Sequence, residues 1–243
     1  MVKYKYIVTS GCSFVQSSKD RDEPNRRTHD PKLVSREGYK PAFVDFLAEK
    51  MNLPFYNLAI GGTGIRYAIY SLLDWIQKNK DKSKDTLFIC GITTFARFEF
   101  INRELGLRDK EGFWGRLDIM DKSEDKYHDT LYRLPKDNYK RWYWENIYND
   151  KEVEFELRGL IEMFSSYLRV NNHRCIFINT LNDNIYAETA IDISDICELF
   201  YFPNNTPYWR EHILSDDNTY KLAHPNKHDH MVLADLLYDY INI

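Results

Sequence analysis

The chain has 243 residues, of which 43% are hydrophobic, so it is long enough to bury one sizeable core. A formal net charge of -4 and an isoelectric point near 6.0 give no basic surface that would suit nucleic acid or an anionic membrane. Since no apolar run is long enough to cross a bilayer, a membrane-spanning protein is also excluded at this stage.

The four cysteines are far apart in the sequence and form no CxxC pair. We therefore expect free thiols and no zinc site built on thiolates. No other metal and no cofactor is expected. The first residues lead straight into a strand without a secretory signal. A cytoplasmic protein is the resulting expectation.

The predicted elements of the first half alternate between strand and helix. In chain order they are a strand over 6–10, a helix starting at Pro41, a strand over 55–60, a helix over 65–76 and a strand over 85–90. A long polar loop over 16–38 follows the first strand. Loops of this length often belong to functional sites.

Residues 97–150 break this rhythm, since they are charged and aromatic, and they are predicted to be an insertion. The elements predicted after it are a helix over 153–168, a strand over 175–179, a short helix over 193–201 and a closing helix over 231–241. Because the strands are apolar throughout, they predict a parallel sheet covered on both faces. In such sheets, functional sites lie at the carboxyl ends of the strands.

Two motifs at opposite ends of the chain predict a nucleophile and a base. Ser13 follows Gly11 and Cys12 on a small-residue turn after the first strand, and His224 precedes the closing helix. A serine hydroxyl needs such a base to become nucleophilic. The backbone N–H groups of Ser13 and Gly62 and a side chain after Gly91 are candidate donors to the oxyanion.

The order of these motifs resembles the SGNH (GDSL-like) hydrolase superfamily of esterases and lipases, and it is similar to divergent members encoded by tailed phages. The matching segments are Gly11-Cys12-Ser13, Gly62, Gly91-Ile92-Thr93-Thr94 and Lys221-Leu222-Ala223-His224-Pro225. The resemblance implies one flavodoxin-like three-layer α/β/α domain over residues 1–243, carrying the insertion at 97–150. It also implies Ser13 as nucleophile, His224 as base and Thr93 as a third oxyanion donor.

Two positions depart from the pattern of that superfamily. Thr93 stands where the family has the asparagine of the oxyanion hole, and Lys221 stands where it has the aspartate that orients the histidine. Asp216 or Asp217 could supply the missing carboxylate, or a Ser-His dyad could act alone. The loss of such a carboxylate costs roughly 10⁴-fold in rate in well-studied triads.

The predicted function is a serine esterase, with an acyl ester of a glycan as the first substrate class to test. Trp114, Trp142 and Trp144 of the insertion could stack on sugar rings, although such a cluster is more often a small core or a subunit interface. The alternative is a non-catalytic binding or phage assembly protein on the same scaffold, which the two departures favour. No nucleic acid or membrane partner is expected, and homo-oligomer formation stays open.

Overall fold

A computed structural model describes residues 4–12, 14–17, 41–60, 63–93, 97–101, 114–118, 150–180, 193–203, 209 and 225–242, with the backbone alone given at 97–101, 114–118 and 150. In chain order they form β1 (Tyr6–Ser10), α1 (Phe43–Met51), β2 (Phe55–Asn57), α2 (Ile65–Lys78), α3 (Lys80–Ser83), β3 (Thr86–Ile92), β4 (Arg97–Ile101), β5 (Trp114–Asp118), α4 (Asp150–Val170), β6 (Arg174–Asn179), β7 (Glu198–Phe200) and α5 (Lys227–Asn242).

The centre of the described fold is a five-stranded sheet in the order β2-β1-β3-β6-β7, and every neighbouring pair runs parallel. Numbered among themselves, these strands have the order 2-1-3-4-5 of flavodoxin-like folds. All seven residues of the central strand β3 are buried, as expected for a sheet that helices cover on both faces.

Alternate residues of β3 belong to two separate hydrophobic cores because side chains of a strand point to opposite faces. Phe88, Cys90 and Ile92 pack with α2 and α4, whereas Leu87 and Ile89 pack with α1 and α5 on the other face. The predicted three-layer α/β/α architecture is confirmed. None of the helices within the described ranges combines the length and apolar composition needed to span a membrane.

Helices α1 and α4 end in the same way. Each helix is followed by an asparagine in the left-handed conformation. Asn52, with a φ of 52°, comes directly after α1, and Asn172, with a φ of 56°, is the second residue after α4. The next N–H bonds to the carbonyl five residues back, at 3.0 Å in α1 and 2.8 Å in α4. This is the Schellman arrangement, which gives partners to carbonyls that a helix end would otherwise leave unpaired.

The helix predicted over 193–201 is wrong. The N–H groups of Ile196 and Cys197 bond to the Ile193 carbonyl to make a single turn, and the chain then enters β7. Leu199 and Phe200 pack on opposite faces of the sheet, which is strand alternation rather than a helical stripe.

An ion pair also fixes β7 against β6. The Arg174 guanidinium donates from Nη2 to Oε1 of Glu198 at 2.6 Å and from Nε to both carboxylate oxygens at 3.1 Å. Since it is half-buried and two-pronged, this pair is stronger than an exposed salt bridge. It lies at the amino ends of the two strands, away from the edge where the functional site is predicted.

Two predicted strand ends shift near that edge. β2 ends at Asn57 rather than at 60. β3 continues to Ile92 rather than ending at 90, because the pairing with β6 extends through Gly91–Ile178 and Ile92–Asn179. Gly91 is therefore inside the strand, and Thr93 is the first residue beyond it. Within the insertion predicted at 97–150, β4 and β5 form an antiparallel pair.

Candidate active site

The carboxyl ends of β1 and β3 form the point where the strand order reverses. The first helix after β1 is α1, which packs on one face of the sheet. The first helix after β3 is α4, which follows β4 and β5 in the chain and packs on the opposite face. Connections that diverge in this way leave a crevice between them, which is where open α/β sheets bind their ligands. The predicted nucleophile motif directly follows β1.

Glycines allow the two strand ends to come close. A Cβ atom added to Gly11 would lie 3.2 Å from both Cα and O of Gly91, and Gly11 has a φ of 154°, which side chains rarely adopt. A Cβ added to Gly91 would lie 2.5 Å from Cγ2 of Val15. A side chain at either position would therefore displace the segment that carries the motif.

The segment after Cys12 is fixed by backbone and side-chain bonds. The Cys12 carbonyl accepts from the N–H groups of Val15, at 2.9 Å, and of Gln16, at 3.1 Å. Asn57, the last residue of β2, donates from Nδ2 to the Val15 carbonyl at 2.9 Å and to Oγ of Ser17 at 3.2 Å. The Ser17 hydroxyl donates in turn to the buried Asp45 carboxylate at 3.3 Å.

The chain after β2 is tied to the same place. The Gly11 carbonyl accepts from the Ile60 N–H at 3.1 Å and from the Thr63 hydroxyl at 3.2 Å. Ile60 and Thr63 flank the glycine pair that contains Gly62. Both ends of that turn are thus anchored within two residues of the predicted nucleophile.

The ends of β1, β3 and β6 also meet through Thr180. Its N–H and its hydroxyl both donate to the Ile92 carbonyl at 2.8 Å, and Sγ of Cys12 lies 3.7 Å from the same hydroxyl. Thr93, which follows Ile92, is only 4% exposed. Its Oγ1 has no hydrogen-bond partner within the described ranges.

Trp209 connects the motif after β1 with the closing helix. Its buried ring meets Phe14 and Phe43 edge-on, with centroids 6.0 Å and 5.9 Å away. It also meets the His230 ring edge-on at 5.1 Å. Phe14 follows Ser13 directly, and His230 lies in the first turn of α5, six residues after His224.

The start of α5 is well defined. Oδ1 of Asn226 accepts from the N–H groups of His228, at 2.7 Å, and of Asp229, at 3.2 Å, and the Asn226 N–H donates to the Asp229 carboxylate at 2.6 Å. This reciprocal capping box fixes the direction in which the chain enters the helix. One turn on, His230 Nδ1 accepts the Phe43 N–H at 3.1 Å, so its imidazole is neutral, with the proton on Nε2.

Of the predicted site residues, the structure places Thr93 with its side chain and Trp114 as the first residue of β5, by backbone alone. The others lie outside the described residues: Ser13, Gly62, Trp142, Trp144, Asp216, Asp217 and His224. The structure does place residues that are next to them in the sequence. These are Cys12 and Phe14 beside Ser13, Ile60 and Thr63 around Gly62, and the capped start of α5 after His224.

Several site residues escaped the sequence analysis. Asn57 carried a signal, because it is a polar residue inside an otherwise apolar segment that was predicted to be a strand. Trp209 and Thr180 carried none, since their roles depend on contacts with residues far away in the sequence. The buried thiols of Cys90 and Cys175 are not alternative nucleophiles, because burial raises the pKa of both well above its ordinary value.

No protein-family model and no curated protein matches this chain. Among solved structures, the chain is similar to a crystal structure of a "putative GDSL-like lipase" from Parabacteroides merdae, at 13% sequence identity and a TM-score of 0.45 over 100% of this chain and 98% of that one. A likeness at this level carries no argument about activity, and the fold class rests on the strand order described above. The resemblance to phage-encoded proteins finds no support in these comparisons.

Proposed function

We propose that this chain is an SGNH-like serine esterase. Ser13 Oγ attacks the carbonyl carbon of an ester while His224 takes the hydroxyl proton, and the same imidazole then protonates the departing alcohol. Water, activated by His224, attacks the resulting acyl-serine and releases the carboxylic acid. The N–H groups of Ser13 and Gly62 and the Thr93 hydroxyl stabilise the oxyanion in both steps.

The position of Trp209 is the observation that carries this proposal. Its ring touches Phe14 and His230, and the two touching residues are one and six positions from the proposed nucleophile and base. A tryptophan packed between these two parts of the chain supports their meeting at the β1–β3 crevice. It does so without any contact being assumed for Ser13 or His224.

Thr93 supports the oxyanion part of the proposal. Its hydroxyl is buried, and none of the described residues accepts a hydrogen bond from it. A donor that is already desolvated stabilises developing negative charge more than it would in water. Thr93 therefore takes the place of an asparagine in this scheme.

The orienting carboxylate and the substrate are finer parts of the proposal. Lys221 stands where the superfamily has the aspartate that orients the histidine. In this proposal Asp216 or Asp217 orients the His224 ring instead, or the Ser-His dyad acts without a carboxylate. The acyl ester belongs to a glycan whose rings stack on Trp114, Trp142 or Trp144. The cysteines within the described ranges are all free thiols, which supports a reducing compartment such as the cytoplasm.

A fluorophosphonate probe tests the proposal, because it labels only a serine that a base has activated. We expect covalent labelling of the wild type, none of Ser13→Ala, and labelling at least about 10³-fold slower in His224→Ala. Ser83→Ala and His228→Ala are the matched controls. Ser83 lies in α3 at the other end of the sheet and His228 is exposed on α5, so both should label at the wild-type rate.

The outcome that contradicts the proposal is a folded wild type that takes up no label. Circular dichroism of each variant separates loss of reactivity from loss of the fold. A folded and unreactive wild type would favour the alternative, a binding or assembly protein on the same scaffold, with Thr93 and Lys221 as signs of lost chemistry.

A further inference from the structure

The first turn of α1 is hydrogen-bonded to two segments that border the candidate active site. On one side, the Ser17 hydroxyl donates to Oδ2 of Asp45 at 3.3 Å. On the other side, the Phe43 N–H donates to Nδ1 of His230 at 3.1 Å. Ser17 lies four residues after Ser13, and His230 lies in the first turn of α5. One helix turn therefore connects the segment of the proposed nucleophile with the helix that follows the proposed base.

Both residues of the first contact are themselves held in place. Asn57 of β2 donates from Nδ2 to Oγ of Ser17 at 3.2 Å, and the Ala42 N–H donates to Oδ2 of Asp45 at 2.9 Å. Ser17 and Asp45 are only 1% and 2% exposed, so water competes little for their hydrogen bond. Since three residues separate Ser17 from Ser13, this contact limits where the chain can place the serine.

The second contact holds the start of α5. Phe43 is the first residue of α1, and the N–H groups at a helix start have no partner within the helix. His230, which is only 7% exposed, supplies an acceptor for one of them. Its own N–H bonds to the carbonyl of the capping residue Asn226 at 3.2 Å. A single residue, Pro225, separates this cap from His224.

We propose that the two hydrogen bonds of this turn together set the position of Ser13 relative to His224. We call them the α1 bridge, whose members are Ser17, Asp45, Phe43 and His230. They are positioning residues, because none of them takes part in the proposed chemical steps. Proton transfer needs the serine and the histidine within hydrogen-bond reach, and a displacement of about 1 Å can cost about 10²-fold in rate. This inference rests on the proposed esterase function.

A matched pair of variants at His230 tests the bridge. The measurement is the maximal rate at which a fluorophosphonate probe labels the protein, together with the probe concentration that gives half of that rate. His230→Leu removes the acceptor for the Phe43 N–H, whereas His230→Asn keeps an acceptor oxygen close to the position of Nδ1. Both variants lose the ring contact with Trp209, so the difference between them reports the hydrogen bond.

The two variants should differ in the maximal rate and in nothing else. We expect this rate to fall about 10- to 100-fold in His230→Leu and less than about 3-fold in His230→Asn, with the half-saturating probe concentration unchanged in both. A role in packing alone would give the reverse order, since leucine suits a buried apolar site better than asparagine does.

The other end of the bridge gives a second test. Ser17→Ala should lower the maximal rate by a similar factor, whereas Asp45→Asn keeps an acceptor oxygen and should stay within about 3-fold of the wild type. The double variant Ser17→Ala/His230→Leu should be at most about 3-fold slower than the slower single variant, because either break alone releases the bridge. Two independent contacts would instead multiply their effects.

Asp235→Ala is the matched control, because it breaks a different contact between the same two helices. Lys50 pairs with Asp235 at 2.7 Å, about 10 Å along α1 from Phe43, and both side chains are largely exposed. This variant should label at the wild-type rate. If circular dichroism shows that His230→Leu has lost the fold, the comparison of Ser17→Ala with Asp45→Asn decides the question.

The failure of the bridge and the failure of the proposed function give different results. A folded wild type that takes up no label would overturn both. A reactive wild type whose folded His230→Leu or Ser17→Ala variant labels equally fast would overturn the α1 bridge alone. A double variant that shows the product of the two single effects would also overturn it.

Discussion

At the scale of single residues, Thr9 and Thr93 share one feature. Both hydroxyls are buried, and neither has a hydrogen-bond partner within the described ranges. Thr9 lies inside β1, between two paired strands, where no ligand can reach it. Thr93 lies just beyond β3, at the crevice. Their comparison separates a hydroxyl that is merely buried from one that is proposed to act.

Replacement by valine keeps the shape of each side chain and removes the unpaired hydroxyl. We expect Thr9→Val and Thr93→Val to raise the free energy of unfolding by up to about 1 kcal/mol each, measured by urea denaturation. Thr93→Val alone should lower esterase turnover, by about 10²-fold if its hydroxyl is a full oxyanion donor. Thr93→Ser, which keeps a hydroxyl, should retain most of the activity. Equal activity of all three variants would remove Thr93 from the site.

At the scale of elements, the two asparagines after α1 and α4 make a testable pair. Asn52 and Asn172 hold left-handed backbone, which costs roughly 1–2 kcal/mol for an ordinary side chain and nothing for glycine. We expect Asn→Ala at either position to lower the free energy of unfolding by about 1 kcal/mol. Asn→Gly should leave it unchanged or raise it slightly. Thermal or urea unfolding measures both, and a glycine variant less stable than the alanine variant would contradict the assignment.

Sequence periodicity predicted the long elements well and failed where a pattern was short. The apolar stripe from Val153 to Leu168 spans more than four turns, and the helix is there. The segment around Leu199 has too few residues to show whether its period is two or 3.6. It is a strand because it pairs with β6, and the ion pair between Glu198 and Arg174 adds to that pairing. Since β6 is distant in the sequence, local periodicity does not show it.

For the molecule as a whole, a parallel sheet with a site at the carboxyl ends of its strands could be predicted, because apolar strands and glycine turns are local signals. The flavodoxin-like strand order was implied by the family resemblance alone. The aromatic contacts of Trp209 could not be predicted. Its contacts join Phe14, Phe43 and His230 from three separate parts of the chain. A lone tryptophan in an irregular segment gives no hint of such partners. The catalytic roles of Ser13 and His224 stay predictions, with their neighbours as the structural support.

His173 is a half-buried ring whose protonation should make the stability of the whole fold depend on pH. It follows α4 and meets Phe88 of β3 edge-on at 5.7 Å. Burial lowers the pKa of His173 below its ordinary value of 6.5, and a hydrogen bond with the Ser83 backbone opposes this only in part. The folded state therefore binds fewer protons than the unfolded chain whenever the pH approaches that ordinary value.

The sign of the pH dependence follows from this lowered pKa. The contribution of neutral His173 to stability is complete above about pH 6.5 and is lost as the pH falls through that value toward the folded-state pKa. We expect urea unfolding of the wild type to lose more stability between about pH 7.5 and pH 5.5 than His173→Gln does. The exposed His228→Gln variant is the control and should follow the wild type. Parallel curves for the wild type and His173→Gln would mean that acid acts elsewhere in the fold.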